Sequence, residues 1–324
     1  MFSRVNIAAT ILMAVFSGAT LAEIPVYGVI MSTPTTPYWN AVALGLKEGA
    51  FEENADYYLQ AVENDQTTAA QLAICNNMLD RKPNVILVAA MDAEGLSSCL
   101  KKAESLNIPA IALADTPQSI QIYDTGVASV IQSNYEEIAI ISARFISESL
   151  GSNAKGSVVI INDQDLSDQS LNDNNQSSLQ IDTFTEQLHS STPDLQVITT
   201  TAKDLAHVLK DTSTIANTIV RAIVSTDNAA TLTTINSLPD SDAPDLLVVS
   251  LDYQADNSAL LFEGKIHAAI SQLPYLVGKR AMERASLAMD TSGNDINDVV
   301  YIQPLLLTKE TLEEDNNPML KFIR

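Results

Sequence analysis

The sequence predicts an α/β protein made of two units with largely parallel sheets. From residue 23 onward, short apolar runs alternate with amphipathic helical segments, a pattern typical of parallel strands buried on both faces. The alternation is interrupted by one extra apolar run, GVASVI (126–131), and then begins again. The chain has 324 residues, which is more than one ordinary core requires, so two domains are expected.

The first unit alternates strand and helix almost regularly. We predict strands at 26–31, 56–62, 84–90, 110–114 and 126–131, and helices at 38–53, 67–79 and 94–106. In the first helix, Trp39, Val42, Leu46 and Ala50 share one face. That apolar face predicts packing of the first helix against a sheet.

The second unit repeats this build without a detectable internal sequence repeat. We predict strands at 157–162, 195–200, 222–226, 246–252, 267–271 and 299–307, and helices at 135–150, 202–217, 228–237 and 274–288. The polar segment 162–180 is predicted to be a loop that leads to a helix. It lacks the glycine and the terminal glutamate of an EF-hand loop, so calcium is not expected there.

The N-terminus, MFSRVNIAATILMAVFSGATLA (1–22), is predicted to be a secretory signal peptide that is cleaved after Ala22. Its apolar run, residues 7–16, is too short to span a bilayer. No cysteine follows the cleavage site, so a lipoprotein anchor is not expected. We therefore expect a soluble mature protein outside the cytoplasm.

The net charge of the chain argues against one class of ligand. The 18 basic and 40 acidic residues give a net charge of −22, which would repel a phosphate backbone and argues against nucleic-acid binding.

The two cysteines, Cys75 and Cys99, lie on successive predicted helices that flank the strand 84–90. In an oxidising compartment such a pair predicts a disulfide, and two buried free thiols are the alternative.

Sequence signatures of catalysis and cofactor binding are absent. The chain has no G-x-G-x-x-G after a strand, no Walker A sequence and no G-x-S-x-G elbow. Its three histidines share no metal-ligand spacing. No enzymatic activity, cofactor or metal is therefore expected.

Two long segments match the sequence pattern of a known family. The first is ILVAAMDAEGLSSCLKKAESLNIPAIALAD (86–115), with its "NIP" turn, and the stronger match is VVSLDYQADNSALLFEGKIHAAISQLPYLVGKRAMERA (248–285). These segments resemble type 1 periplasmic binding proteins, the ribose- and galactose-binding group. The resemblance covers essentially the whole mature chain. It implies two doubly wound parallel-sheet lobes, joined by three crossovers near Gln132, Gln272 and Gln303, with ligand held between them. The implied N-terminal lobe is 23–132 plus 273–303, and the C-terminal lobe is 133–272 plus 304–324.

The same resemblance implies a set of ligand-binding residues. Tyr38 and Trp39 fall where sugar binders place stacking aromatic rings, although Trp39 also lies on the apolar face of its helix. Asp252 matches an aspartate that accepts hydrogen bonds from sugar hydroxyls, and Gln272 matches a glutamine at a hinge. The remaining expected site residues are Asp115, Thr226 and Asp227. For the aspartates that follow strands, helix capping is the alternative.

One departure from the family pattern bears on the ligand. Ribose-type binders carry an Asp–Arg pair after the fourth strand, where this chain has Ala114–Asp115. The position of a second family arginine falls near Gln180. Carboxylates and aromatic rings without arginine suit a polyol, and they also suit a methylated amine or amine oxide in an aromatic cage.

The resemblance implies a monomeric protein that captures a small polar ligand, a sugar or sugar-like polyol, and presents it to the permease of an ABC importer. The alternative is a periplasmic sensory subunit that acts on a membrane histidine kinase.

Overall fold

The structure, a computed structural model, describes residues 23–31, 36–62, 67–114, 127–163, 174–214, 219–238, 246–254, 257–290 and 298–313. These residues form two six-stranded sheets with helices on their faces. The expected fold class, two lobes that each contain a largely parallel sheet, is confirmed. The signal peptide predicted at 1–22 lies outside the described residues.

The first sheet has the strand order β11-β5-β4-β3-β1-β2, and its strands pair in parallel. Its strands are β1 (Val26–Met31), β2 (Asp56–Ala61), β3 (Val85–Val88), β4 (Ala110–Ala114), β5 (Ser129–Ser133) and β11 (Asp298–Ile302). β3 is buried along its whole length, as expected for a central strand covered on both faces.

The second sheet has the order β12-β10-β9-β8-β6-β7. Its strands are β6 (Gly156–Ile161), β7 (Leu195–Thr200), β8 (Val220–Ser225), β9 (Leu247–Ser250), β10 (Ala268–Ser271) and β12 (Leu305–Leu307). The strands pair in parallel except for β12, which runs antiparallel to β10.

The helices are α1 (Pro37–Glu52), α2 (Thr68–Asp80), α3 (Ala93–Ser105), α4 (Tyr135–Leu150), α5 (Asn174–Ser191), α6 (Leu205–Thr214), α7 (Asn228–Ser237), α8 (Ser258–Phe262), α9 (Pro274–Asp290) and α10 (Lys309–Glu313). Residue types at the start of α1 explain where it begins. The Thr36 hydroxyl accepts a hydrogen bond from the Trp39 backbone N–H (3.3 Å), and Pro37 occupies the first helical position.

The chain passes between the sheets three times. It leaves the first sheet after β5, returns after β10 through α9, and leaves again between β11 and β12. The prediction of one strand over 299–307 is wrong, because the run is divided between the two sheets. Pro304 lies between the two strands, and a proline supplies no N–H to a sheet ladder.

Other differences from the predicted elements are local. α5 begins at Asn174, so the loop predicted over 162–180 extends too far. The short helices α8 and α10 were not predicted. Five residues make little more than one turn, which is too short to show a helical period.

The faces of the first sheet carry two separate apolar cores. On one face, α1 and α9 contribute Trp39, Val42, Leu46 and Val277 to a common core. On the other face, α2 and α3 form a second core with the strands. The helices that follow β1 and β3 therefore lie on opposite faces of the sheet.

The helices α1 and α9 approach so closely that glycine is required between them. A Cβ atom built on Gly45 would lie 1.9 Å from the backbone oxygen of Tyr275, and one on Gly278 would lie 2.1 Å from the backbone oxygen of Val42. The Lys279 ammonium flanks this contact and pairs with Glu52 at 2.8 Å. Because the nearest atoms belong to the backbone, the helices could admit a methyl group only by moving apart.

The predicted disulfide is confirmed. Cys75 on α2 and Cys99 on α3 are bonded, and their Cα atoms are 6.3 Å apart. Both residues are buried in the core that α2 and α3 share. The bond therefore joins two neighbouring helices on one face of the first sheet.

We expect the double substitution Cys75→Ala/Cys99→Ala to lower the free energy of unfolding by about 3 kcal/mol, because the bond closes a loop with a sequence separation of 24 residues. Urea unfolding of the mature protein measures this loss. Reductant should destabilise the wild type and leave the double variant unaffected. Two free thiols in protein purified from the periplasm would contradict the bond.

Candidate ligand-binding site

The strand orders identify one crevice in each sheet. In open α/β sheets, ligands bind outside the carboxyl ends of the strands, where neighbouring strands connect to helices on opposite faces. In the first sheet β1 and β3 are neighbours, and α1 and α3 pack on opposite faces. In the second sheet β6 and β8 are neighbours, and α5 and α7 belong to different cores. The candidate site lies at the carboxyl ends of these strands and of the strands beside them in each sheet.

On the first sheet, the aromatic pair follows β1 and begins α1. Trp39 is only 4% exposed and lies in the core with Val42 and Leu46, so it has the packing role that the sequence left open for it. Tyr38 is partly buried and meets the Trp39 ring edge-on, with 5.2 Å between ring centroids. Of the two rings, Tyr38 retains the larger exposed fraction.

The connection after β3 is held by a buried side chain that was not predicted. Gln71 of α2 is 0% exposed; its amide donates to the Ala89 carbonyl (2.7 Å) and accepts from the Met91 backbone N–H (2.9 Å). This pairing fixes the backbone at the carboxyl end of β3. A glutamine on an amphipathic helix gives no sequence signal for such a role.

On the second sheet, Thr226 and Asp227 follow β8 directly. Both residues are partly buried, and the Asp227 carboxylate caps α7 by accepting the Ala230 backbone N–H at 2.8 Å. Capping, the alternative that the sequence left open, is therefore present at Asp227, and it engages Oδ1. Capping also fixes the direction of this carboxylate at the strand end.

Asp252 lies beside Asp227, just beyond the end of β9. Burial raises the pKa of the Asp252 carboxyl above its usual value, and the negative charge of Asp227 acts in the same direction. Hydrogen bonds from the Gln254 side chain and the Asn228 backbone oppose this rise in pKa. A carboxyl group in such an environment, at a strand end of an open sheet, is typical of a functional site.

Buried hydroxyl groups hydrogen-bond to the backbone carbonyls of the two aspartates. The Thr231 hydroxyl lies 2.6 Å from that of Ser225 and 2.8 Å from that of Ser250, and it donates to the Asp227 carbonyl at 2.8 Å. The Ser250 hydroxyl donates to the Asp252 carbonyl at 2.9 Å. This network ties the ends of β8 and β9 to each other, so the aspartates occupy fixed relative positions.

Gln272 lies at the passage from β10 to α9. Its carbonyl is 3.5 Å from the Ser133 hydroxyl at the end of β5, so two of the three passages between the sheets meet there. The next residue, Leu273, has a φ of +52°, a backbone conformation that costs a residue with a Cβ atom about 1–2 kcal/mol. Asp115, the remaining predicted residue, lies outside the described residues.

Among the residues that the structure describes, no group of histidine, cysteine and acidic side chains could hold a metal ion. The same residues include no helix that is both long and apolar enough to cross a membrane. The site consists of carboxylates, amides, hydroxyls and an aromatic ring, which are hydrogen-bonding and stacking groups.

Residues 27–293 match the family described as the periplasmic binding protein domain. The chain belongs to this family. The matched residues include all of the expected site residues, from Tyr38 to Gln272. The family resemblance expected from the sequence is therefore confirmed.

Relatives of this binding protein cover most of its length. The ribose import binding protein RbsB of Escherichia coli K12 is 25% identical over 285 residues, which span 86% of this chain and 89% of the relative. A periplasmic ribose ABC transporter structure from Conexibacter woesei has a TM-score of 0.76 at 18% identity, covering 93% of this chain and 97% of that one. A solute-binding protein of Actinobacillus succinogenes with bound D-allose has a TM-score of 0.69 at 19% identity, covering 88% and 98%.

Proposed function

We propose that this protein binds a small sugar or sugar-like polyol in the periplasm and presents it to an ABC importer without chemical conversion. The cleft between the two lobes holds the ligand in this proposal. Tyr38 and Asp115 contribute from the N-terminal lobe, Thr226, Asp227 and Asp252 from the C-terminal lobe, and Gln272 from the segment that joins them. Trp39 supports the Tyr38 ring from the core.

The observation that carries the proposal is the arrangement of Asp227 and Asp252. Both lie at carboxyl ends of neighbouring parallel strands, and buried hydroxyls fix their positions. Carboxylate oxygens only accept hydrogen bonds, so a pair of them suits a ligand that presents several hydroxyl donors. The relatives named as ribose and allose binders support a sugar as that ligand.

The lobe limits also belong to the proposal. The three passages between the sheets support an N-terminal lobe of 23–132 plus 273–303 and a C-terminal lobe of 133–272 plus 304–324. Two lobes joined only by such passages can close by rotation about a few residues at the ends of elements. Ligand stabilises the closed form only if it contacts both lobes.

A cationic ligand is the second candidate, favoured by the repulsion between Asp227 and Asp252. The charge of Asp227 disfavours ionisation of Asp252, and an ammonium group between the two carboxyl groups would relieve that repulsion. Tyr38 could contribute a cation–π contact to a methylated amine. Neutral sugars and cationic amines thus form the two arms of the ligand test.

A thermal-shift screen of the mature protein tests the proposal. The panel contains D-ribose, D-allose, D-arabinose, neutral polyols, amino sugars, trimethylamine and trimethylamine N-oxide. A ligand present at 100 times its Kd should stabilise the native state by about 2.7 kcal/mol. Small-angle scattering with the best ligand should then show a smaller radius of gyration. Failure of every sugar and polyol to stabilise the protein would reject the proposed ligand class.

The importer assignment needs a separate experiment. Cells that lack the protein should lose uptake of the identified ligand, and the mature protein should restore it. A normal uptake rate together with a lost transcriptional response to the ligand would instead indicate the sensory role upstream of a histidine kinase.

Tyr38→Ala should weaken sugar binding by about 1–3 kcal/mol, the range measured when aromatic rings that stack on nucleic-acid bases are removed. Isothermal titration calorimetry with the best sugar measures this loss. Tyr38→Phe keeps the ring and serves as the matched control, so it should retain most of the affinity. Unchanged affinity in Tyr38→Ala, with a lower melting temperature of the unliganded protein, would assign Tyr38 a packing role.

A further inference from the structure

Three amide side chains form a directed chain of hydrogen bonds that ends on Asp252. Asn257 Nδ2 donates to Asn228 Oδ1 at 2.9 Å, and Asn228 Nδ2 donates to Gln254 Oε1 at 3.4 Å. Gln254 Nε2 then donates to Asp252 Oδ2 at 2.9 Å. Each donor in the chain points towards the carboxylate.

Both ends of this chain are fixed, so the orientation of each amide follows. Asn257 is 0% exposed; its Oδ1 accepts the Gln254 backbone N–H at 3.2 Å, and its Nδ2 also donates to the Asp252 carbonyl at 3.1 Å. At the other end, a carboxylate oxygen accepts and does not donate. Reversing any one amide would place two donors or two acceptors against each other. The geometry therefore selects one direction for all three amides.

We propose that Gln254 is a positioning residue that holds the Asp252 carboxylate in the orientation in which it accepts hydrogen bonds from ligand. The consequence for binding rests on the proposed function, whereas the effect on the carboxylate itself does not. Gln254 is partly exposed and follows β9 by a few residues, so its side chain is not part of an apolar core.

The amide chain opposes two effects that disfavour ionisation of Asp252. Asp252 loses solvation on burial and faces the charge of Asp227, and both effects disfavour its ionised form. Within the described part of the chain, Asp227 is the titratable group that shifts the pKa of Asp252. The other polar side chains in the hydrogen-bonded chain, Gln254, Asn228 and Asn257, are neutral. A chain of aligned donors stabilises the ionised carboxylate, and neighbouring hydrogen bonds strengthen each other.

An amide can do this without neutralising the carboxylate. An arginine or lysine at the position of Gln254 would form an ion pair, and its positive charge would compete with the donors of the ligand. A carboxylate offers about four acceptor positions. The Gln254 side chain and the Asn228 backbone use two of them, so about two remain for ligand hydroxyls. Gln254 thus favours the ionised form of Asp252 and leaves acceptor positions for ligand.

A carboxyl ¹³C NMR titration of the unliganded mature protein tests the positioning role directly. Asp252→Asn identifies the Asp252 resonance by its loss. In Gln254→Leu, which keeps the side-chain size and removes the donor, the Asp252 midpoint should move to higher pH, with the acid dissociation constant lowered about tenfold. Asn228→Ala should produce a smaller change in the same direction. Gln196→Leu, on the exposed side of β7, should leave the midpoint unchanged.

Binding of D-ribose and D-allose as a function of pH supplies the second measurement. Gln254→Leu should lose affinity on acidification at a higher pH than the wild type does, because Asp252 becomes protonated earlier. An unchanged Asp252 midpoint in a Gln254→Leu protein that unfolds like the wild type would overturn the proposal. If neither sugar binds the wild type, the proposed function fails, and the titration still decides the role of Gln254.

Discussion

Gly45→Ala is expected to lower the free energy of unfolding by about 3 kcal/mol, the upper end of the usual cost of overpacking. The added methyl group would lie 1.9 Å from the Tyr275 backbone oxygen and 3.0 Å from the Lys279 backbone nitrogen, so α1 and α9 would have to separate. Helix propensity alone would favour alanine over glycine by about 1 kcal/mol. A net loss of stability therefore reports the contact between the helices. Urea unfolding followed by circular dichroism measures it.

Gly264→Ala is the matched control for this substitution. Gly264 has a φ of +72°, and a Cβ atom there would meet nothing within 4 Å, so the cost comes from the backbone conformation alone, about 1–2 kcal/mol. Gly45→Ala should be clearly more damaging than this control. Equal or greater stability of the Gly45→Ala protein relative to the wild type would show that the helices can separate at no cost.

Asp252→Asn is expected to abolish most ligand binding while stabilising the unliganded protein at neutral pH. The loss of a hydrogen bond to a charged acceptor weakens binding by about 1.5–3 kcal/mol, which is roughly ten- to a hundredfold in Kd. The gain in stability follows from the raised pKa of Asp252, because an ionised carboxyl is disfavoured at this position in the native state.

The raised pKa of Asp252 also determines how the stability of the protein changes with pH. Because the pKa of Asp252 is higher in the native than in the unfolded state, the native state binds more protons between the two pKa values. The wild type therefore loses stability as pH rises through that interval. Chemical unfolding at pH 3.5 and pH 7 should show a greater advantage of Asp252→Asn at pH 7. An advantage that does not depend on pH would argue against the raised pKa.

Hydrophobic periodicity predicted most of the helices and strands, and the wrong predictions have physical causes. The bounds of β1 and β4 were predicted to the residue. A short, continuous run of apolar residues is typical of a parallel strand that is buried on both faces. The run 299–307 was misread because β11 and β12 are both apolar and almost contiguous. Their assignment to different sheets depends on partners far away in the sequence, β5 and β10.

The candidate site was only partly accessible to sequence reasoning. Asp227 and Asp252 follow apolar strands, where open parallel sheets bind ligands, and the structure shows that these two strands are neighbours. The roles of Gln254 and Gln71 depend on hydrogen bonds to specific backbone and carboxylate atoms, and a polar residue in a turn or on a helix does not reveal its partner. Trp39 carried two interpretations because an aromatic residue at the start of a helix can face either the core or the cleft.

The packing of α1 against α9 determines when the first core can be completed during synthesis. Glu48 on α1 and Lys279 on α9 are 231 residues apart in the chain, yet they form a direct ion pair. In a chain that has not yet reached α9, the part of α1 that α9 covers stays exposed, and the sheet lacks β11. Strands β1 to β5, like strands β6 to β10, come from one uninterrupted stretch of sequence, whereas α9 and β11 of the first lobe follow β10. The lobe that begins the sequence therefore cannot complete its apolar core until strands β6 to β10 of the other lobe have been synthesised.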